Sequence, residues 1–256
     1  MGIVNVTPDS FSDGGKFLNA NAAVKHALAL VKQGADILDI GGESTRPNAK
    51  PISEAEELNR VIPVISELAK KVKIPISIDT TKPIVALTAL TRGASIVNDV
   101  AANRKDDLMW QFVSQFKAGY ICMHAPPTLH AIDAQKNIIA QVETFFRERL
   151  EKMNAFGISS DQIVFDPGIG FGKTLEQNLQ LLAGLRRFTK LRRPLLLGVS
   201  RKSFLGKLTG MDVNERLPAS LACAILAIES CAQIIRAHDV AETVQAVRVA
   251  EAILRK

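Results

Sequence analysis

The sequence predicts a closed (β/α)8 barrel of the α/β class, a TIM barrel, filling one domain over residues 1–256. Three observations predict it. Eight short apolar runs alternate with eight helical periodicities along the chain. The length, 256 residues, matches the ~250 residues common for such barrels. Nearly every apolar run also ends in a chemically capable polar side chain, as expected where strand ends crowd one rim.

The strand-like runs are GIVNV (2–6), DILDI (36–40), ISID (76–79), IVND (96–99), YICMH (120–124), IVFD (163–166), LLLGVS (195–200) and QIIRAH (233–238). The stretch 195–199 is apolar throughout, which suits a parallel strand covered on both faces. Helical periodicity covers 20–33, 53–71, 83–91, 106–117, 135–156, 175–188, 215–230 and 240–254. Ser53 with Glu56 forms a capping-box pattern at the start of the second helix. Gly34 and Gly157 stand where a residue of positive φ would end the first and fifth. Eight such units in this length favour closure over an open doubly wound sheet. Nothing in the sequence reads as a linker, a low-complexity tract or a second domain.

Composition narrows the function. Hydrophobic residues make up 47%, enough for a sizeable core. No apolar stretch approaches the roughly 18 residues that span a bilayer, and no basic region precedes the apolar N-terminus as in a signal peptide. The expectation is a cytoplasmic protein without membrane contact. The net charge is +6, with basic clusters at Arg186, Arg187, Lys190, Arg192 and Arg193 and at Lys70, Lys71 and Lys73. Aromatics are only 5%, too few to interleave with these clusters as base-stacking platforms, so nucleic acid is not expected as a partner. Both clusters read as solvated helix ends, and the positive field would attract anionic substrates. Cys122, Cys223 and Cys231 lie in apolar runs without metal-ligand spacing and are expected as reduced core thiols.

The rim is where function should lie. The polar residues at or just after the runs are Asn5, Glu43 to Arg46, Asp79, Asn98, His124, Asp166, Lys202, Arg236 and His238. Helix N-capping could explain the acidic and amide residues among them. It does not explain Lys202 or Arg236, because a cation at a helix N-terminus opposes the dipole.

Three loops carry the densest chemistry. NVTPDSFSDGG (5–15) is long and polar, as lids and binding loops are, and offers Asp9 and Asp13 to a hard cation beside Asn5. In GGESTRPNAK (41–50), the planar fork of Arg46 suits a pyrophosphate or carboxylate. DPGIGFGK (166–173) ends like a Walker A loop, but Pro167 stands where that loop needs its first glycine, so a nucleoside-triphosphate site is rejected. SRKS (200–203) and RAHDV (236–240) follow the last two strands.

Taken together with SIDT (77–80) and ND (98–99), these segments resemble the dihydropteroate synthase family of pterin-binding enzymes. The motifs span almost the whole chain in family order. The resemblance implies condensation of 6-hydroxymethyl-7,8-dihydropterin pyrophosphate with p-aminobenzoate, releasing pyrophosphate and 7,8-dihydropteroate in folate biosynthesis, a sulfonamide target. It implies that Asp79, Asn98, Asp166 and Lys202 hydrogen-bond the pterin edge, with Met123 packing nearby. Arg236 would stack on the ring and, with Asn5 and His238, hold the pyrophosphate. A magnesium ion (Mg2+) would sit near Asn5. Ser44, Thr45, Arg46, Pro47, Phe171 and Ser203 would border the aminobenzoate site, with Ser203 opening a helix. Catalysis would rest on Lys202, Arg236, His238, Asp79, Asp13 and Arg46. The implied mechanism is dissociative: pyrophosphate departs, the ring delocalises the positive charge, and the amine attacks.

The chain departs from the family pattern in four places. It starts inside the first strand, where the family has a hairpin over the barrel floor. It reads His124-Ala125-Pro126-Pro127 after the fifth strand, Asn48 in the second loop, and Pro218-Ala219 at the head of the seventh expected helix. Leu217 to Ala232 is apolar almost all round, which suggests a subunit contact and agrees with the family's homodimers. Two rival readings share the pterin carboxylates: a methyltetrahydrofolate-dependent methyltransferase and a non-catalytic pterin-binding paralogue. The first has no need of SRKS or the Arg236–His238 pair, and the second has no need of an intact pyrophosphate grip.

Overall fold

The computed structural model describes residues 1–7, 16–44, 50–102, 107–126 and 137–255, with side chains from Ala20 onward in the first helix. Among the described residues eight strands form: β1 (Gly2–Asn5), β2 (Leu38–Gly41), β3 (Ile76–Asp79), β4 (Ile96–Asp99), β5 (Gly119–Met123), β6 (Ile163–Asp166), β7 (Leu196–Gly198) and β8 (Ile234–Arg236). β1 to β6 pair in chain order, all parallel, and β7 pairs with β8. Bridges between Phe165 and Leu195 and between Gly2 and Ala237 join these two pieces into a ring. Ile3 N donates to Ala237 O at 3.1 Å, and Phe165 N to Pro194 O at 2.9 Å. The expected barrel is therefore closed.

The surrounding helices are α1 (Lys16–Lys32), α2 (Glu54–Leu68), α3 (Pro83–Thr91), α4 (Leu108–Phe116), α5 (Ile138–Ala155), α6 (Leu175–Ala183), α7 (Ser203–Thr209), α8 (Leu217–Glu229) and α9 (Val240–Leu254). Gly34 and Gly157 take φ of +100° and +80°, as expected of them. The capping box at Ser53 is half made: its side chain accepts the Glu56 N–H at 3.2 Å. Glu56 turns instead to Arg60, 3.0 Å away. The helix expected over 175–188 breaks at Gly184, and a 3-10 segment, Leu185–Leu191, replaces its second half. A Cβ at Gly184 would lie 2.2 Å from Ile139 Cδ1, so α5 packs where only glycine fits. Helix α7 opens at Ser203 as expected, although its seven residues are too few to show a period in the sequence.

The core lies between the strands and the helices. Phe146 of α5 stacks on Phe165 of β6 with centroids 4.2 Å apart and meets Phe188 edge-on at 5.7 Å. All three rings are fully buried. Of the cysteines only Cys122 is in the core; Cys223 is half-buried. Cys231 is exposed in a left-handed turn after α8, which corrects the expectation of three core thiols. The basic clusters are largely exposed, as expected, and make surface pairs. Arg187 pairs with Glu143 at 2.7 Å, Lys71 with Glu67 at 2.9 Å, and Arg186 donates to the Glu229 carbonyl at the end of α8. α8 buries Ser220, Ala224 and Ala227 but leaves Leu226 60% exposed. Val249 and Ile253 of the adjoining α9 are also exposed, so apolar surface continues across both helices. Pro218 falls in the first turn of α8, where a missing N–H costs nothing. At the N-terminal end of the barrel a groove of about 530 Å3 opens between Ile37, Ile235, Val240 and Val247.

Candidate active site

Side chains alternate along a strand, so every second residue faces the barrel interior. The pairing register turns that rule into a ring. Asn5 sits opposite Gly41, Gly41 opposite Asp79, and Asp79 opposite Asn98. Met123 sits opposite Asp166, and Gly198 opposite Arg236. These are the C-terminal ends of the strands, and five of the expected site residues share the ring with Asn5. The two glycines leave the space into which their neighbours lean: a Cβ at Gly198 would lie 3.9 Å from Arg236 Cβ and 4.0 Å from Lys202 Nζ.

Arg236 is the hub. Its Nε donates to Asp39 Oδ2 at 2.6 Å and its Nη2 to Asp79 Oδ2 at 2.8 Å. Asn98 Nδ2 donates to the same Asp39 oxygen at 3.0 Å. Burial works against the Arg236 cation, but Asp39, Asp79 and Asp166 outweigh it and hold it charged. Burial also pushes the Asp79 carboxyl up to about 7, against the pull of Arg236 and with help from Asp39, Glu57 and Asp99. Asp99, the neighbour of Asn98, points the other way. Its Oδ2 accepts from Tyr120 OH at 2.6 Å, which makes it part of the packing layer.

Lys202 follows β7 and reaches across to the loop after β6. Its ammonium donates to Ile169 O and lies 4.4 Å from the centroid of Phe171. Burial lowers its pKa to about 8, with Asp166 opposing the drop. Asp166 is itself raised by burial, with Lys202 pulling it back. The loop that bears Phe171 is rigidly seated. Gly168 has φ +68°, and a Cβ there would sit 2.0 Å from His124 O. Gly168 N donates to Asp166 Oδ1 at 2.7 Å. Lys173 Nζ gathers the carbonyls of His124, Gly168 and Phe171 at 3.0, 2.8 and 3.1 Å. Just after β8, His238 N donates to Ser200 Oγ at 3.2 Å, and its Nδ1 lies 3.0 Å from the same oxygen.

Helix capping does not account for this ring. The caps of α2, α3, α5 and α6 are Ser53, Lys82, Asn137 and Thr174. Lys202 occupies the cap position of α7, with Ser203 as its first residue, but makes no capping bond. His124, a weaker candidate, is buried edge-on against Phe145 at 4.9 Å. Ser44 lies at the root of the second loop, and Met123 is buried at the end of β5. Asp13, Thr45, Arg46 and Pro47, with Asp9 and Asn48, lie outside the described residues.

The site is thus a mouth lined by carboxylates, two amides and two cations, drawn from different strands or the residues just after them. A family model described as "Pterin binding enzyme" matches residues 1–238. The chain is a pterin-binding enzyme of the dihydropteroate synthase family. The dihydropteroate synthase of Escherichia coli K12 is 44% identical over 257 residues, covering 99% of this chain and 91% of that one. The Clostridium difficile dihydropteroate synthase, solved in the presence of pteroic acid, superposes with a TM-score of 0.96 at 45% identity, covering 100% of this chain and 96% of that one. The Xanthomonas albilineans enzyme with 4-aminobenzoic acid gives 0.94 at 44% identity, covering 99% and 92%.

Sequence reasoning missed one central residue of this candidate site. Asp39 is fully buried, anchors both Arg236 and Asn98, and leaves Oδ1 without a hydrogen-bond partner among the described residues. The signal was present: a carboxylate in the middle of the apolar run DILDI has to be paired or functional. Lys173 and Ser200 were also missed as supports, although both lie inside motifs that were singled out.

Proposed function

We infer that this chain is a dihydropteroate synthase that joins 6-hydroxymethyl-7,8-dihydropterin pyrophosphate to p-aminobenzoate and releases pyrophosphate. The observation that carries the inference is the convergence of Asp79, Asn98, Asp166, Lys202 and Arg236 on one mouth, within a chain 44% identical to the Escherichia coli enzyme over almost its whole length. The methyltransferase and paralogue readings gain no specific support from either. We take residues 1–256 as one pterin-binding barrel domain working in the cytoplasm.

The residues divide the work by chemistry. Asp166 and Asp79 are acceptors for the N–H groups of the pterin, and Lys202 is a donor to its carbonyl and ring nitrogens. Asp39 and Asp79 fix the plane of Arg236, so its face can meet the pterin ring without reorganisation on binding. Arg236 and His238 take up the negative charge that develops on the departing pyrophosphate, and Asn5 orients it. Ser44, Thr45, Arg46, Pro47, Phe171 and Ser203 border the aminobenzoate. Asp13, from the first loop, and Arg46 complete the catalytic set. The amine attacks once the methylene is cationic, and its proton leaves with solvent.

Among the described residues no group of three or more His, Cys, Asp or Glu could hold a metal unaided. A single amide oxygen at Asn5 nevertheless suits Mg2+, which commonly takes one or two protein ligands and fills the rest from substrate phosphates and water. When bound, Mg2+ would neutralise charge on the leaving pyrophosphate.

The deciding experiment measures pyrophosphate release with pterin pyrophosphate, p-aminobenzoate and Mg2+, omitting each in turn. Release should need all three. Pterin binding without turnover would identify a paralogue instead. The apolar surface shared by α8 and α9 supports a homodimer; light scattering at micromolar concentration should give the dimer mass, and a clean monomer would refute it.

A further inference from the structure

The root of the loop after β2 is held by a lysine that none of the site motifs contains. Lys82 Nζ donates to Glu57 Oε2 at 2.5 Å and to Glu43 Oε2. Glu57, on α2, is fully buried, and its Oε1 has no hydrogen-bond partner among the described residues. Glu43 is the residue just before Ser44. One ammonium therefore joins the start of α3, the body of α2 and the entry to the second loop. Gly42 is fastened as well: Arg60 Nη1 donates to its carbonyl at 2.9 Å, and a Cβ there would lie 2.7 Å from Val61 Cγ1.

Helix stability does not explain Lys82. It occupies the N-cap of α3, makes no capping bond, and places a cation where the dipole disfavours one. Pairing the buried Glu57 explains one of its contacts, since an unpaired buried carboxylate is strongly unfavourable. The contact with the half-buried Glu43 is not needed for that purpose.

We propose that Lys82 is a positioning residue for the amine substrate: by holding Glu43 it fixes where Ser44 and the GGESTRP loop leave the barrel rim. This rests on the reading that the loop borders the p-aminobenzoate site. Most of the pterin grip, from Asp166, Lys202 and Arg236, is built on other strands; only Asp79, held by Arg236, stands on the strand that leads to Lys82, so the effect should fall mainly on the amine.

The test uses the full-length enzyme. Glu43→Gln removes only the charge of the loop-side contact, leaving a neutral acceptor, and keeps Lys82 on Glu57; Lys82→Met cuts both. Each should raise the KM for p-aminobenzoate on the order of tenfold, as misplaced binding groups do. The Kd for pterin pyrophosphate, measured without the amine, should stay within about twofold, and Lys82→Arg should recover most of the loss. If Lys82→Met does not fold, Glu43→Gln carries the test alone. Arg46→Ala separates the layers. If it raises the KM while Glu43→Gln does not, the loop reading stands and the tether is refuted. If Arg46→Ala changes nothing, the loop reading falls and the tether with it. Equal weakening of both substrates would mark general damage and would also overturn the proposal.

Discussion

Arg236 donates from Nη2 to Asp79 Oδ2 at 2.8 Å, linking the last strand of the barrel to the third. The contact places a carboxylate in a buried setting that one guanidinium, shared with Asp39, only partly compensates. Asp79 therefore titrates at about 7 in the fold, against 3.8 ordinarily.

That shift has a sign that stability measurements can read. A carboxyl with a raised pKa in the folded state binds its proton more tightly there than in the unfolded chain. Its contribution is favourable below about pH 4 and is lost as pH rises through about 7. Asp79→Asn removes this dependence. The difference in Tm, variant minus wild type, should move in the variant's favour between pH 4 and pH 7. A difference that is flat with pH would refute the assignment.

The same group should shape the rate profile. With Asp79 near 7 and Lys202 near 8, kcat/KM for the pterin substrate should rise through the first value and fall through the second. Lys202→Arg keeps a cation that does not titrate in this range, so the alkaline limb should vanish in that variant. Its persistence would assign the limb to another group.

Lys202→Ala should lower kcat/KM by a factor on the order of a hundred or more, as removal of a positioned electrostatic donor does. Thermal stability should change far less. Near-normal turnover would mean the pterin edge is gripped elsewhere.

Asp39 can be tested as the hidden partner. Asp39→Ala leaves Arg236 Nε and Asn98 Nδ2 without their acceptor in a buried place. Denaturant unfolding should show a loss of about 3–5 kcal/mol, the range for breaking a buried charge pair. Asp39→Asn keeps the shape and should lose less. Equal losses in the two variants would argue that shape and not charge matters at this position.

Gly168→Ala probes the sixth loop. The new Cβ would meet His124 O at 2.0 Å, in a backbone conformation that L side chains disfavour. The loop must move, taking Ile169 O away from Lys202. Expected are a stability loss of more than about 1 kcal/mol and a larger fall in pterin affinity, read by calorimetry. Unchanged affinity would separate the loop from the site.

Much of this was legible in the sequence because barrel geometry converts order along the chain into position on a rim. Asp79, Asn98, Asp166 and Arg236 could be found at strand ends by counting alone. Asp39 escaped because it lies two residues inside its strand, where attention to strand ends does not reach. The tie between Lys82 and Glu43 spans 39 positions and depends on how two helices settle against the barrel, which no local pattern encodes. The extent of helix α7 and the break at Gly184 involve close packing against Arg216 and Ile139. Cys231 looked like a core thiol only because its neighbours are apolar.

The bond between Asp39 and Arg236 crosses 197 positions. During synthesis, Asp39 emerges early and its counter-ion near the end, so a ribosome-bound chain stopped before Ile234 carries an unneutralised acid at the heart of its half-built cylinder. Docking of the final strand then shuts the ring and cancels that charge in one event. Late, cooperative closure of this kind is slow because so much chain must be ordered before the contact rewards it. On the proposed reading a nascent chain cannot grip pterin until Arg236, a little over nine-tenths of the way along, is made, and trimming the carboxyl end past Arg236 should abolish ligand recognition along with the fold.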